Sequence, residues 1–563
     1  MRIALGLGLL PVVLNAGSAL GAERITLTYG ALERSISVES LEIYARDGEI
    51  PRDLRAYIRL LDKDQLQEMR QLLTAKADLS PIVISQFLYT EQGEALLRRL
   101  GEVVRTESNL SGFYAIRSAL ILAASEPEGL TVLNVLQEFP LDNVRIDISL
   151  ALQLVGELED LIQQTQDAIA LVEEQSALEA SAGTSIDLSR LADLRPPGSY
   201  HWQKHSISLN DLRRNRSFPV DLYLPETQTG EPIRSAPVIV ISHGLGSDRS
   251  TYAYLAQHLA SYGFAVAVPE HLDSNAQQLQ SLLSGVAREV TPPVEFINRP
   301  LDVKYLLNEL DYLSHSDPDF RGRLNVQQVG VIGQSMGGYT ALALAGANIN
   351  FEQLAADCTE DTLNLSLLLQ CRALELPQAI PDFRDDRVKA VIAINPIGSS
   401  LLGQADYAAI QIPVMIVSGG ADTVAPALLE QIRPFTWLQT PDKYLLLLKN
   451  GTHFSTIDVP NPTAATDGEI VQLPAELVGP DPRLAHTYLK SMSLAFFTGY
   501  IANQTEYLAY LDAAYVNQIS NAALPARLVR SLTPTQLAKI TGEELSNSTP
   551  SRNADSRLRN YQD

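Results

Sequence analysis

Ser335 lies in the pentapeptide Gly333-Gln334-Ser335-Met336-Gly337, between an apolar run that predicts a strand and the helix-compatible run GGYTALALAGA. A strand-to-helix turn of the form G-x-S-x-G projects the serine hydroxyl above a sheet, and its glycines avoid collisions with neighbouring backbone. The same pentapeptide also occurs in ordinary tight turns. The strand-turn-helix context favours a nucleophilic serine over that structural interpretation.

Asp422 and His453 could supply the groups that a serine nucleophile needs. A serine hydroxyl reacts slowly unless a histidine accepts its proton and a carboxylate orients that histidine. Asp422 follows the predicted strand IPVMIVSGG, and His453 follows the next one, KYLLLLKNG. Because the carboxyl ends of parallel strands meet at one edge of a sheet, the three side chains are predicted to converge there, in the order Ser, Asp, His. The alternatives are a turn-forming aspartate and a surface or capping histidine.

Cleavage by a serine also requires N–H donors for the negative oxygen of the tetrahedral intermediate. The backbone N–H of Met336 is the first predicted donor, because it follows the nucleophile at a helix amino terminus. The second is expected from the loop His243-Gly244-Leu245-Gly246, which follows the predicted strand APVIVIS. Leu245 is the preferred donor and Gly244 the alternative, and His243 is predicted to orient the loop backbone. A simple turn is the other interpretation of this loop.

His201 and His205 have a spacing that can bind a metal on a helix, but their surroundings, SYHWQKHSISL, predict a strand. A metal site needs at least a third ligand, and none is evident in the sequence. The sequence therefore predicts neither a metal nor a cofactor.

Three further polar residues have two interpretations each. Glu270 and His271 end the predicted strand FAVAVPE, where they either line the rim of a pocket or have a structural role. Asp302 lies three residues after Arg299. A carboxylate at a helix start is favoured for it over a catalytic role.

The composition excludes some classes of partner. The chain has 563 residues, of which 45% are apolar and 19% charged, enough apolar side chain for a large buried core. Its formal charge is -23, and no local cluster of basic residues interrupts the acidity. Such a balance repels phosphate backbones, so no nucleic-acid partner is predicted.

Short apolar runs that alternate with helical patterns begin near residue 198. These runs are FPVDLYL, APVIVISH, FAVAVPE, QVGVIGQ, VKAVIAIN, PVMIVSG and KYLLLLK. Their lack of polar alternation is typical of strands buried on both faces, which predicts a mostly parallel α/β sheet with helices on both sides. Residues 198–521 form the predicted catalytic domain, and the polar residues 522–563 a predicted disordered tail.

The chain before this domain has mostly helical spacing, as in PRDLRAYIRLL. Residues 23–155 are therefore predicted to form an all-helical domain. Residues 156–197 are predicted to be a helical linker that ends in a stretch rich in Gly, Ser and Pro, a composition typical of domain boundaries.

Residues 1–22 consist of one basic residue, an apolar run and small residues near Ala22. This pattern predicts a cleaved secretory signal and therefore an exported protein, periplasmic or extracellular. An uncleaved membrane anchor is the alternative, since the stretch from Ile3 to Leu20 approaches spanning length. No later apolar run in the sequence is long enough to span a bilayer.

Cys358 and Cys371 are the two cysteines of the chain and lie in an insertion before the strand VKAVIAIN. In an exported protein, two cysteines this close are predicted to form a disulfide, with free buried thiols as the alternative. The same insertion contains LNLSLLLQC, which is either a lid over the active site or a core helix.

The motifs HGLGS, GQSMGG, SGGADTVAP and KNGTHF together resemble the platelet-activating-factor acetylhydrolase and dienelactone-hydrolase-like branch of the α/β-hydrolases. That resemblance covers roughly residues 199–500. Residues 23–150 resemble a domain of unknown function that precedes such hydrolases in exported cyanobacterial proteins. The resemblance implies an α/β-hydrolase fold and a metal-independent esterase or lipase-like activity. Dienelactone hydrolases proper use a cysteine nucleophile, so Ser335 argues against dienelactone hydrolysis.

The predicted function is hydrolysis of a small-molecule or lipid carboxylic ester through an acyl-enzyme intermediate. The alternative is a non-catalytic binding or scaffold protein on the same fold, with the amino-terminal module as its active part. Labelling by a serine-directed phosphonate would separate the two.

Overall fold

The computed structural model describes residues 21–59, 62–77, 79–182, 188–359, 364–458, 479 and 481–542. The chain divides into two compact units, one formed by Met1–Glu159 with Leu279–Val290, the other by Asp160–Gln278 with Thr291–Asp563. The predicted signal segment lies almost wholly outside the described residues. No helix in the described ranges combines the length and the apolarity needed to cross a membrane.

The smaller unit contains a four-stranded sheet with the strand order β2-β1-β4-β3. β1 and β2 form an antiparallel hairpin, whereas β1 and β4 are parallel. The strands are β1 (Arg24–Tyr29), β2 (Leu32–Ser37), β3 (Val104–Thr106) and β4 (Asn143–Asp147). The helices of this unit are Val38–Asp47, Arg55–Ile58, Lys63–Thr74, Pro81–Leu88, Glu91–Val103, Phe113–Ser125 and Val132–Gln137.

The prediction of an all-helical amino-terminal domain was therefore wrong. Gly30, at φ 57°, makes the tight turn of the hairpin, a conformation that glycine adopts without strain. Ile25 on β1, Ile36 on β2 and Val144 on β4 bury their side chains in the unit's core. The strands have only three to six residues, too few for their two-residue period to stand out beside the longer helical patterns.

A single helix, Ile148–Ala182, runs through the predicted boundary between residues 155 and 156. The two compact units divide inside this helix, after Glu159. Ala168, Ile169 and Val172 on the helix belong to the core of the larger unit. The helix thus continues the smaller unit's chain directly into the larger unit.

The larger unit contains a nine-stranded sheet with the order β13-β12-β11-β10-β9-β7-β8-β6-β5. The six strands from β12 to β8 in that order are parallel, and β13, β6 and β5 are antiparallel to their neighbours. The strands are β5 (His201–Asp211), β6 (Arg216–Glu226), β7 (Ala236–Ser242), β8 (Ala265–Pro269), β9 (Leu324–Gln334), β10 (Val388–Ile394), β11 (Val414–Gly419), β12 (Lys443–Leu448) and β13 (Ala526–Val529). This arrangement is consistent with an α/β-hydrolase fold.

Helices cover both faces of the sheet, so its central strands are buried on both sides. On β7, for example, Val238 and Val240 pack in one apolar cluster, whereas Ile239 and Ile241 pack in the other. The α-helices are Ala253–Ala260, Glu295–Ser316, Met336–Leu344, Phe351–Asp357, Leu365–Cys371, Ser399–Ala409, Arg433–Trp437, Pro482–Tyr500, Ala513–Ile519 and Pro534–Thr541, with Ala276–Leu283 at the division between the units. Shorter helical turns are Leu188–Arg190, Arg372–Glu375, Leu428–Ile432 and Thr505–Tyr510.

The prediction of a disordered tail from residue 522 was wrong for residues 522–542. β13 pairs with β12 in this segment, with Leu528 opposite Leu446, and both side chains are fully buried. The four-residue edge strand is too short to stand out in a polar sequence, and its stability comes from a partner about eighty positions earlier in the chain. Residues 543–563 lie outside the described residues.

Candidate active site

Ser335 directly follows β9, at the turn into the helix Met336–Leu344, and its backbone is strained. Its φ of 55° and ψ of -117° lie in a region that non-glycine residues rarely adopt, at a cost of about 1–3 kcal/mol. A Cβ on Gly333 would lie 1.8 Å from the carbonyl oxygen of Gly337, and one on Gly337 would lie 2.1 Å from the carbonyl oxygen of Ser242. Only glycine fits at these two positions, so they permit the sharp turn that the sequence predicted.

Asp422 and His453 form a buried hydrogen-bonded pair at the carboxyl ends of β11 and β12. The His453 Nδ1–H donates to Asp422 Oδ2 over 2.7 Å. The other carboxylate oxygen accepts the backbone N–H groups of Val424, at 2.9 Å, and Ala425, at 2.7 Å. These bonds fix the carboxylate and direct the proton of a neutral imidazole to Nδ1, which leaves Nε2 as the basic nitrogen.

The structure brings Asp422 and His453 together, but in the described ranges it forms no hydrogen bond between His453 and Ser335. Within the described ranges, neither Ser335 Oγ nor His453 Nε2 hydrogen-bonds to another group. In enzymes without substrate, such catalytic contacts are often long and shorten when substrate binds.

The two predicted oxyanion donors are both free backbone N–H groups. Met336 is the first residue of its helix, where N–H groups have no intrahelical acceptor. Leu245 lies in the loop after β7, and in the described part of the chain neither its N–H nor that of Met336 donates to any acceptor. Two N–H groups without an acceptor, those of Met336 and Leu245, are what binding of a negative oxygen requires.

Two segments of the chain are similar to known protein families. Residues 21–147 match a family model described as an α/β hydrolase of unknown function, and residues 220–298 match the model of platelet-activating factor acetylhydrolase, isoform II. A curated platelet-activating factor acetylhydrolase from Canis lupus familiaris is 30% identical over 147 residues, which are 20% of this chain and 32% of that protein. One from Cavia porcellus is 49% identical over 49 residues, 9% of this chain and 11% of that protein.

This chain is a distant homologue of the platelet-activating factor acetylhydrolases. The resemblance drawn from its motifs is therefore confirmed, for residues 220–298 and for the amino-terminal domain of unknown function. The chain spans about a third or less of the length of the curated relatives that it matches. The family match at 220–298 contains Leu245 and ends before Ser335.

Sequence reasoning missed two amides that link the loops of this acetylhydrolase homologue. The carbonyl oxygen of His453 accepts the side-chain N–H groups of Gln334 and Asn395, each at 3.2 Å. Asn395 also accepts the backbone N–H of Gly419, at 2.8 Å, through Oδ1. These bonds tie together the segments that carry Ser335, Asp422 and His453. The position of Asn395 at the carboxyl end of the predicted strand VKAVIAIN, at the same sheet edge, was the available signal.

His271 and Asp302 form a second buried histidine–aspartate contact, beside the loop that carries Leu245. His271 Nδ1 lies 3.4 Å from Asp302 Oδ2, and its Nε2 lies 2.9 Å from the Ser242 hydroxyl. Burial, with the charges of Arg299 and Arg216, holds the pKa of His271 well below its usual range. The ring is therefore neutral and has a structural role, as one of its two interpretations proposed.

Asp302 lies inside the helix Glu295–Ser316 and not at its start, which corrects the favoured interpretation. Its carboxylate binds Arg214 at 2.8 Å and Arg216 at 3.0 Å. These arginines come from the turn before β6 and its first residue, so the pairing could not be deduced from the neighbouring Arg299. A carboxylate held by two arginines is unsuited to catalysing proton transfer.

Glu270 and the paired histidines of β5 also have structural surroundings. Glu270 is buried and accepts from Arg249 at 3.1 Å and from Asn275 at 2.9 Å. His201 and His205 both lie on β5, as the sequence predicted. No group of His, Cys, Asp and Glu side chains in the described ranges is arranged to hold a metal ion.

Cys358 and Cys371 form the predicted disulfide, with their Cα atoms 5.7 Å apart. Next to it, the side-chain N–H of Gln370 donates to the buried carboxylate of Glu430 over 2.9 Å, which anchors the insertion to the larger unit. Leu369 packs against the core, whereas Leu365 is exposed. Of the predicted lid LNLSLLLQC, Leu363 lies outside the described residues.

Proposed function

We propose that this chain hydrolyses carboxylic esters, with Ser335 as nucleophile, His453 as general base and acid, and Asp422 as the carboxylate that orients the histidine. The observation that carries the proposal is the 2.7 Å hydrogen bond between buried Asp422 and His453. The pair lies at the edge of the sheet where β9 ends at the strained Ser335. Distant homology to the acetylhydrolases supports the same reaction class.

In the proposed reaction, Ser335 Oγ attacks the ester carbonyl carbon while His453 Nε2 takes the hydroxyl proton. The tetrahedral intermediate collapses, the bond to the alcohol oxygen breaks, and His453 returns the proton to that oxygen. An acyl group then remains on Ser335. Water attacks this acyl-enzyme with the same histidine as base, which releases the carboxylic acid and restores the serine.

The N–H groups of Met336 and Leu245 are the proposed donors to the negative oxygen of both tetrahedral intermediates. Met336 adds the partial positive charge of a helix amino terminus. Such donors act more strongly on the transition state than on the neutral ester, so they raise turnover more than binding.

The proposed substrate is an uncharged or zwitterionic ester, including lipid and short-chain acyl esters. The formal charge of -23 disfavours substrates that carry a free carboxylate. The two curated relatives are named platelet-activating factor acetylhydrolase, and removal of an acetyl group supports a short acyl group in the substrate of this chain.

The proposal also includes export. It rests on the signal-like residues 1–22 and on the disulfide, since disulfides persist in oxidising compartments. Fractionation of expressing cells, with amino-terminal sequencing of the product, tests it. Recovery in the cytoplasm with an intact amino terminus would contradict it.

The function is tested with Ser335→Ala. We expect turnover of a short-chain nitrophenyl ester to fall by about 10⁴ to 10⁶ with the fold intact, because only the attacking oxygen is lost. A fluorophosphonate should label the parent protein on the peptide that contains Ser335, and should not label the variant.

Ser418→Ala provides the matched control, since it removes a buried hydroxyl from the end of β11. This control should keep both turnover and labelling. Full activity in Ser335→Ala would remove Ser335 from the mechanism. A parent that neither turns over esters nor reacts with the phosphonate would favour the binding-protein alternative.

A further inference from the structure

We propose that Arg299 and His243 are positioning residues for the oxyanion site. Their side chains bind the carbonyl groups of His243 and Gly244, and this contact directs the Leu245 N–H toward the substrate. This inference rests on the proposed ester hydrolysis. It assigns to a buried charge a role that neither the motifs nor the family matches give it.

The guanidinium group of Arg299 donates hydrogen bonds to backbone and hydroxyl oxygens. The side chain is fully buried in the helix Glu295–Ser316. Nη1 donates to the His243 carbonyl over 2.6 Å, and Nη2 approaches the Gly244 carbonyl at 3.5 Å. Nε donates to the Ser274 hydroxyl at 3.0 Å, and Nη2 also reaches the Ser274 carbonyl at 3.3 Å. One planar group thus holds two loops in a fixed relation.

Arg299 remains charged in this site. Burial lowers its pKa to about 10, while the nearby carboxylates of Glu295 and Asp302 act in the opposite direction. Within the described residues it forms no ion pair at salt-bridge distance. Its donors instead go to carbonyl and hydroxyl oxygens of the two loops, so removal of the guanidinium would leave these buried oxygens without that partner.

His243 has its tautomer fixed by its neighbours. Its Nε2 accepts the backbone N–H of His271 over 3.0 Å, so the proton of the neutral ring is at Nδ1. Nδ1–H donates to the Gly244 carbonyl over 2.8 Å. Burial, with Arg299 and His271 nearby, holds the pKa of His243 well below its usual range. The ring therefore stays a neutral donor to this carbonyl at neutral pH.

Because the peptide bond is planar, a restraint on the Gly244 carbonyl also fixes the direction of the Leu245 N–H. In a trans peptide the C=O and the following N–H point in opposite directions. The Gly244 carbonyl faces Arg299 and His243, so the Leu245 N–H of the same peptide unit points away from them. No described acceptor takes that N–H.

The same loop lies against the helix that follows Ser335. A Cβ on Gly337 would lie 2.1 Å from the Ser242 carbonyl oxygen and 2.8 Å from that of His243. The segment that Arg299 holds is therefore in direct contact with the residue after Met336. A rotation of the 244–245 peptide would remove one of the two free N–H groups without moving Ser335, Asp422 or His453.

The test measures Arg299→Lys and His243→Gln in the full chain. We expect kcat for a neutral ester to fall on the order of 10²-fold in each, with KM changed less than about threefold, because the donor acts on the transition state. A boronic acid, which forms a tetrahedral anionic adduct on the serine, should lose affinity in parallel with kcat/KM. A purely structural role would instead lower the folded fraction and leave kcat per folded molecule and boronate affinity unchanged.

Arg323→Lys is the matched control. Arg323 is also a buried arginine, paired with Glu226 at 3.3 Å, but it precedes β9 at the end opposite Ser335. This variant should keep kcat while its thermal midpoint falls. If Arg299→Lys does not fold, His243→Gln decides alone, since it replaces one neutral donor by another.

The outcomes separate this inference from the proposed function. A parent without esterase activity overturns the proposed function itself. An active parent whose Arg299→Lys or His243→Gln variant, once folded, keeps kcat within threefold and binds the boronate as tightly as the parent overturns the positioning role alone.

Discussion

Among its described residues, the larger unit holds two buried histidine–aspartate pairs whose surroundings differ. In one, His453 Nδ1 donates to Asp422 over 2.7 Å, and the carboxylate's other donors among the described residues are backbone N–H groups. In the other, His271 Nδ1 lies 3.4 Å from Asp302, whose charge two arginines already balance. The first carboxylate can stabilise an imidazolium, whereas the second is committed to its arginines.

The second nitrogen of each ring differs in the same way. His271 Nε2 is occupied by the Ser242 hydroxyl, whereas His453 Nε2 has no hydrogen-bond partner in the described ranges. A general base needs one nitrogen free to take a proton. A buried histidine–aspartate contact is therefore not by itself a catalytic pair, since the remaining partners of each group determine its role.

The two pairs can be compared by making the same Asp→Asn substitution in each, and the largest effect on kcat is expected at Asp422. Asp422→Asn should lower kcat by about 10⁴, because an amide stabilises the wrong tautomer of His453 and cannot stabilise its charged form. The measurement is the initial rate of ester hydrolysis at neutral pH, with circular dichroism to confirm the fold. If kcat of Asp422→Asn stays within tenfold of the parent, the pair of His453 and Asp422 is no more important for catalysis than the pair of His271 and Asp302.

Asp302→Asn should instead act on stability. It leaves Arg214 and Arg216 without their buried counter-charge, which should reduce the free energy of unfolding by about 3–5 kcal/mol. Urea unfolding measures this loss, and kcat per folded molecule should stay within about tenfold of the parent, since no proton moves through Asp302. An unfolding free energy equal to that of the parent would show that Asp302 does not hold this cluster together.

The smallest effect concerns pH. His271 is held neutral in the folded protein, with its pKa below the unfolded value of about 6.5, so the unfolded chain binds the proton more readily. Stability is therefore unaffected by this group above that pH and falls as the pH drops below it, by about 1.4 kcal/mol per pH unit for each such histidine. Urea unfolding between pH 7 and pH 5 should show a shallower slope for His271→Gln than for the parent.

The matched control for the pH experiment is His315→Gln, because the His315 side chain is 77% exposed. Its slope should equal that of the parent. His243, His258 and His486 also have lowered pKa values and contribute to the same slope, so the informative quantity is the difference between variants. Equal slopes for parent and His271→Gln would mean that His271 titrates alike in the folded and unfolded states.

Much of the large sheet was predictable from the sequence because its strands are continuous apolar runs. All seven predicted runs are strands, and their carboxyl ends carry Ser335, Asp422 and His453 on β9, β11 and β12. β13 and the small amino-terminal sheet were not predicted, since strands of three to six residues depend on distant partners for their stability.

The sequence by itself determined the order of the three candidate catalytic residues and the glycines that permit the turn at Ser335, because both follow from local spacing. Only the tertiary structure showed that Arg299 contacts the loop of His243 and that Asp302 contacts His271. Arg299 and His243 are 56 positions apart, and His271 and Asp302 are 31 apart. Such contacts depend on how helices pack against strand ends, and no local pattern records that packing.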